Sequence, residues 1–240
     1  MDVQEVTKIE QAPEYDSDYG DQVPGGALID KDNGWTTLGT AAYSNSLGSY
    51  GWVTAAHNVG FSTGVPVGQP YDTDLYPSDK IGSSAGAVFG SLNDGVEKDA
   101  AFIEHDDPPS PVYQIANNSG GYKNFAIFGA VSENKLYDLS ADNATVYFQG
   151  ADSGDAQSTI KSLSGYDSGI RDATNVDLEY EDCVNGDSGG PYYWKKNSDD
   201  AYMVGIHAWG RNSNKNNGDP VDKAEGNAMW KIESALGLTV

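Results

Sequence analysis

The chain has 240 residues, with 36 Asp and Glu against 14 Lys and Arg, for a formal net charge of −22. Such a surface repels nucleic acid, and no apolar run reaches the length of a membrane-spanning helix. The single cysteine, Cys183, excludes an intrachain disulfide and reads as a small buried hydrophobe rather than a nucleophile.

The acids are spread along the whole chain, so their mutual repulsion opposes compaction at low ionic strength. In about 1 M salt the Debye length falls to roughly 3 Å and that repulsion fades. The composition therefore predicts a salt-loving, halophilic protein. With 29 Gly and 15 Tyr, the chain favours short strands joined by polar turns over helices.

Residues 1–21 are polar and acidic and read as an N-terminal arm; Met1 is followed by Asp-Val-Gln-Glu, which has neither the basic nor the apolar region of a signal peptide. Strands are expected over 27–29, 36–43, 50–55, 81–89, 100–104, 125–130, 145–149, 157–163, 175–180, 191–194 and 203–209, separated by breakers such as Asn33-Gly34 and Asn118-Ser119-Gly120. That spacing suggests an all-β antiparallel sandwich or pair of barrels. The Pro-rich stretch 106–111 is the best linker candidate, dividing the chain into 22–112 and 113–240. The one clear helix is 228–236, where Met229, Ile232 and Leu236 share a face.

The strongest chemical signal is Gly186-Asp187-Ser188-Gly189-Gly190-Pro191. A nucleophilic serine must project from a tight turn while backbone N–H groups face the developing oxyanion, and glycines permit both the angles and the close approach. The expected oxyanion donors are the amides of Gly186 and Ser188. The base is expected at His57, which follows Trp52-Val53-Thr54-Ala55-Ala56 at the end of an apolar strand. The carboxylate that orients it is expected at Asp99, because Ala100-Ala101-Phe102-Ile103 can bury it; Asp94, Glu97, Asp106 and Asp107 lie in more polar surroundings. The chain order His, Asp, Ser distinguishes this set from the Asp-His-Ser and Ser-Asp-His orders of unrelated hydrolases.

These motifs resemble the chymotrypsin-like serine protease superfamily, and within it the bacterial streptogrisin and α-lytic protease-like group. The resemblance runs from Val23-Pro24-Gly25-Gly26, through the two triad segments of the first half, to Val204-Gly205-Ile206-His207-Ala208-Trp209-Gly210 and the tail 232–240. It implies two six-stranded antiparallel β-barrels with the site between them, a C-terminal helix, secretion, and a polypeptide substrate cleaved by a monomer without cofactor or metal. It also implies a cationic partner for Asp187. No arginine stands near 147–149, where the bacterial group carries one, and a new N-terminus freed before Val23 is the alternative.

The resemblance places the substrate-binding pocket near His207, Ala208, Trp209 and Gly210, with Asp182 before the serine loop. A partly charged His207 would attract an acidic P1 side chain, whereas Asp182 would suit Arg or Lys; the acidic reading is taken, with His207 as a merely packed residue left open. Two other functions remain open: an esterase using the same triad, and a non-catalytic binding protein that keeps the fold. Asp-rich turns such as Asp72-Thr73-Asp74 have no spacing specific enough for a Ca²⁺ site.

Overall fold

The computed structural model describes residues 17–31, 34–70, 79–89, 99–106, 110–164, 175–178, 186–211 and 223–240. Strands dominate: β1 (Gln22–Gly25), β2 (Leu28–Lys31), β3 (Gly34–Thr37), β4 (Thr40–Ser44), β5 (Ser49–Thr54), β6 (Pro66–Gly68), β7 (Lys80–Phe89), β8 (Asp99–His105) and β9 (Ser110–Ile115) precede β10 (Ala126–Ala130), β11 (Thr145–Gly150), β12 (Gly154–Ser164), β13 (Asn175–Leu178), β14 (Pro191–Lys195), β15 (Asp200–Arg211), β16 (Lys223–Ala228) and β17 (Leu238–Thr239). Among the described residues, three helices interrupt them: α1 (Ala56–Val59), α2 (Glu133–Ala141) and α3 (Met229–Leu236). Among the described residues no helix is long and apolar enough to cross a membrane.

One sheet of eight strands runs β17-β4-β5-β8-β7-β6-β2-β3 and carries the first half of the chain. A second sheet runs β10-β15-β14-β11-β12-β13-β16, and the additional β15–β16 pairing closes six of its strands into a barrel. Closure removes the exposed edges that an open antiparallel sheet would leave.

The cores explain why several strands read as continuous apolar runs. In β8, Ala101 and Ile103 pack into the interior of the first sheet with Trp52, Ile29 and Val67. Their alternates Ala100 and Phe102 face the other way, into a cluster shared with Ile206, Met203, Tyr193 and Ile232 from the second half. Side chains alternate faces along a strand, so β8 is buried on both sides and its Ala-Ala-Phe-Ile has no polar position. Full burial of a large apolar side chain contributes about 1.5–3 kcal/mol, and the shared cluster joins the two sheets. A third cluster, with Phe148, Tyr192, Val176 and Val204, fills the closed barrel.

The all-β architecture and the C-terminal helix agree with the sequence reading. Of the Pro-rich stretch, Ser110 and Pro111 belong to β9, which pairs parallel with β1. Pro24 and Pro111 are tolerated because this is a two-stranded sheet with free edges. Helix α2 was not expected. Its apolar stripe is only Leu136 and Leu139, and its start rests on Ser132 Oγ accepting the Lys135 N–H at 3.3 Å.

Candidate active site

Asp99 opens β8 and is fully buried, as expected from its apolar followers. Its Oδ1 accepts the backbone N–H of His57 at 2.8 Å. Its Oδ2 is hydrogen-bonded to His57 Nδ1. His57 lies on α1, one short turn beyond β5, with its side chain 35% exposed. A buried carboxylate holding both the backbone and the ring of a half-exposed histidine leaves the outer ring nitrogen toward solvent, where a base can act. Asp99 N–H donates in turn to Asn227 Oδ1 at 2.7 Å, and Asn227 Nδ2 donates to Asn175 Oδ1 at 2.8 Å.

Ser188 sits in the turn before β14. Two glycines there have positive φ, Gly186 at 107° and Gly189 at 91°. Gly189 permits the close approach of the first sheet: a Cβ on it would meet Thr37 O at 2.1 Å and Thr54 Oγ1 at 2.2 Å. The first sheet grips the turn from that side. Thr37 N–H donates to Ser188 O at 3.0 Å, Thr36 Oγ1 donates to the same carbonyl, and Thr37 Oγ1 donates to Gly186 O at 2.8 Å. Asn58, next to His57, donates to Thr36 Oγ1 at 2.6 Å. On the other side Gly189 N–H donates to His207 O at 2.7 Å and His207 N–H to Gly190 O at 2.8 Å. The Ser188 turn and His57 are thus wedged together at the junction of the two sheets. Ser188 Oγ donates to Ala208 O at 3.1 Å and not to His57. Catalytic contacts in unliganded sites are often loose in this way.

Asp187 is fully buried, and its Oδ1 accepts the N–H groups of Asp152 and Ser153 at 3.1 and 3.0 Å. The turn between β11 and β12 therefore supplies two backbone donors to the carboxylate, an arrangement invisible to a search for a cationic side chain. Gly150 makes room for it: a Cβ there would come within 2.1 Å of Asp187 Oδ1.

His207 differs from the expectation of a partly charged imidazole. It is 2% exposed on β15, and its Nδ1 shares a hydrogen bond of 2.7 Å with Tyr192 OH. Its ring also contacts Phe148. Burial first, and the nearby His57 second, push its pKa down to about 3, so the ring is neutral at ordinary pH. Ala208 is buried beside it, while Trp209 and Gly210 continue β15 opposite Glu225 and Ala224. Asp182, Cys183 and the Asp72–Asp74 turn lie outside the described residues.

An unfolded histidine takes up its proton near pH 6.5, whereas buried His207 does so only near pH 3. Between those values the unfolded chain binds more protons, so stability should fall as pH falls. At about 1.4 kcal/mol per pH unit, acidification from 6.5 to 4 should cost up to about 3 kcal/mol through this residue. Urea titrations of the parent and of His207→Phe at the two pH values test this: the variant should lose markedly less stability, and equal losses would refute the assignment.

This arrangement of two β-sheets, with a buried Asp–His pair facing a glycine-framed serine, is the fold of the trypsin-like serine proteases. The family model described as Trypsin matches residues 132–223, the stretch that holds the serine turn. A Nocardiopsis protease superposes with a TM-score of 0.64 at 20% identity, over 90% of this chain and 97% of its own. Thermobifida fusca protease A gives 0.62 at 21%, over 90% and 97%. A glutamic-acid-specific serine protease, described as using a histidine triad in substrate binding, gives 0.63 at 18%, over 91% and 100%. No curated protein sequence matches.

Proposed function

We propose that this protein is a secreted serine endopeptidase, acting as a monomer on polypeptides through an acyl-enzyme on Ser188. The observation that carries this reading is the fully buried Asp99 bonded to both the backbone and the ring of His57, next to the Ser188 turn. Ser188 Oγ rotates from Ala208 O to His57 and attacks the scissile carbonyl as the ring takes its proton. The new oxyanion is held by the Gly186 and Ser188 amides, which have no acceptor among the described residues. Asp99 stabilises the imidazolium, which then protonates the leaving amine. Water, deprotonated by the same ring, releases the acid and regenerates Ser188. The bacterial protease fold supports export. The sheet membership of β2–β8 and of β10–β16 supports a first unit within 22–112, carrying His57 and Asp99, and a second within 113–240, carrying Ser188, with β9 spanning the join.

For P1 we infer an acidic preference, on a different footing from a charged pocket histidine. His207 is neutral and tied to Tyr192. When Tyr192 OH donates to Nδ1, the proton sits on Nε2, ready to donate to a carboxylate. The chain's other histidines are His57 and His105, and His105 ends β8, about 20 Å along the strand from Asp99; no third histidine joins His207. One hydrogen bond to a charged group contributes about 1.5–3 kcal/mol, so kcat/KM for Glu at P1 should exceed that for Leu, Phe or Lys by roughly 10- to 100-fold. A panel of peptides differing only at P1 decides it; equal rates, or a preference for Lys, would refute the acidic pocket.

The composition supports salt dependence. With −22 charges to screen, raising NaCl from about 0.1 to 1 M should raise the melting temperature by about 5 °C or more. A melting temperature that falls in molar salt would refute a halophilic design.

A further inference from the structure

The hydrogen bond that Asp99 N–H donates to Asn227 Oδ1 joins the two sheets next to His57. Asp99 is the first residue of β8, in the eight-stranded sheet, and Asn227 belongs to β16 of the closed barrel. Asn227 pairs in register with Ile206 on β15, and the next two residues of that strand hold the Ser188 turn, through His207 O to Gly189 N–H and Ala208 O to Ser188 Oγ. A short path of backbone pairing therefore runs from the nucleophile to Asn227, and its side chain passes the position on to the Asp99 backbone. From there the Asp99 carboxylate sets both the backbone and the ring of His57. The amide of Asn227 is itself fixed by Asn175, its cross-strand partner on β13. Asp99, Asn175 and Asn227 are all at most 2% exposed, where hydrogen bonds are stiff and an unpaired group is costly.

We propose that Asn227, clamped by Asn175, is a positioning residue for the triad: it fixes the Asp99 main chain, and through it the His57 ring, relative to Ser188. The assignment rests on the endopeptidase reading above. It accounts for why β16 carries a buried Asn227 on the face opposite Ala224 and Ala228, which line the barrel core.

The test uses the full chain and two readouts, peptide hydrolysis and the deshielded NMR signal of the His57 Nδ1 proton. Asn227→Leu removes the acceptor at similar volume. It should lower kcat by up to about 10²-fold, the scale of a small catalytic misplacement, with little change in KM, and should shift or broaden the His57 signal. Asn227→Asp keeps an oxygen for Asp99 N–H, and Asn175 can rotate its amide to donate to it, so it should recover most of the rate and the signal. Asn175→Ala leaves the acceptor in place but unheld. It should produce a smaller loss of the same kind, and it carries the test if Asn227→Leu does not fold. Folded variants with the parent's kcat and His57 signal would overturn the proposal, as would Asn227→Asp losing as much as Asn227→Leu with the signal unmoved. A parent that hydrolyses no peptide would refute the endopeptidase reading, and the His57 signal would still decide the role of Asn227.

Discussion

Replacing Ser188 or His57 by Ala should lower kcat for peptide hydrolysis by about 10⁶-fold, the scale of single triad removals elsewhere. Each deletion abolishes the covalent route, because an unassisted serine hydroxyl is a poor nucleophile and without Ser188 no acyl-enzyme can form. The two losses should not add: Ser188→Ala with His57→Ala should be about as slow as either alone, leaving the rate supplied by binding and the oxyanion donors. Active-site titration with a fluorophosphonate checks the same claim without a peptide. The parent should take up one equivalent at Ser188, mapped by mass spectrometry, and both variants should take up none. Ser188 Oγ faces Ala208 O rather than His57, which makes labelling a sharp test. A parent that stays unlabelled while folded would mean that the serine is held away from its base, and would favour a protease-fold binding protein. Labelling and ester cleavage without peptide cleavage would favour an esterase.

What the sequence made legible is what the chemistry restricts to few residue types. A serine on a glycine-framed turn, a histidine just beyond an apolar strand and an acid before a doubly buried strand each require particular neighbours, so Ser188, His57 and Asp99 could be singled out. The support around them was not legible, because it is made by backbone. Asp187 is held by the amides of Asp152 and Ser153, and any residue type carries an amide. Strand β16 was missed for the opposite reason. Its Lys-Ala-Glu-Gly-Asn-Ala carries no strand signal, since Glu225 and Asn227 interrupt a strand buried on both faces, and Gly226 is there because a Cβ would lie 2.4 Å from Tyr192 and Ile206 atoms. His207 was found, but its burial was not, because the residues that enclose it, Phe148 and Tyr192, come from two other strands.

Gly189→Ala should destabilise the protein by about 4 kcal/mol or more and disable the serine turn. Gly189 has φ of 91°, which costs an L-residue roughly 1–2 kcal/mol. The new Cβ would also lie 2.1 Å from Thr37 O, 2.2 Å from Thr54 Oγ1 and 3.1 Å from Ala55 N. Two of these are backbone atoms of fully buried segments, and Thr54 Oγ1 already donates to Thr37 O at 2.7 Å, so relief requires breaking a buried hydrogen bond or moving the strand that leads to His57. Overpacking of this kind costs about 1–3 kcal/mol, and the broken bond about 1 kcal/mol more. Against a typical total of about 5–15 kcal/mol, that is a large fraction. Gly64→Ala provides the comparison, since Gly64 has φ of 81° but nothing within 4 Å of the added Cβ; it should lose only the conformational cost. Urea unfolding and fluorophosphonate labelling rates read both effects. Gly189→Ala should lose far more stability than Gly64→Ala and label far more slowly in whatever fraction stays folded. Equal stability and equal labelling in the two variants would mean that the first sheet does not clamp the serine turn, and the wedge between Thr37, Thr54 and Ser188 would have to be abandoned as the element that holds the site together.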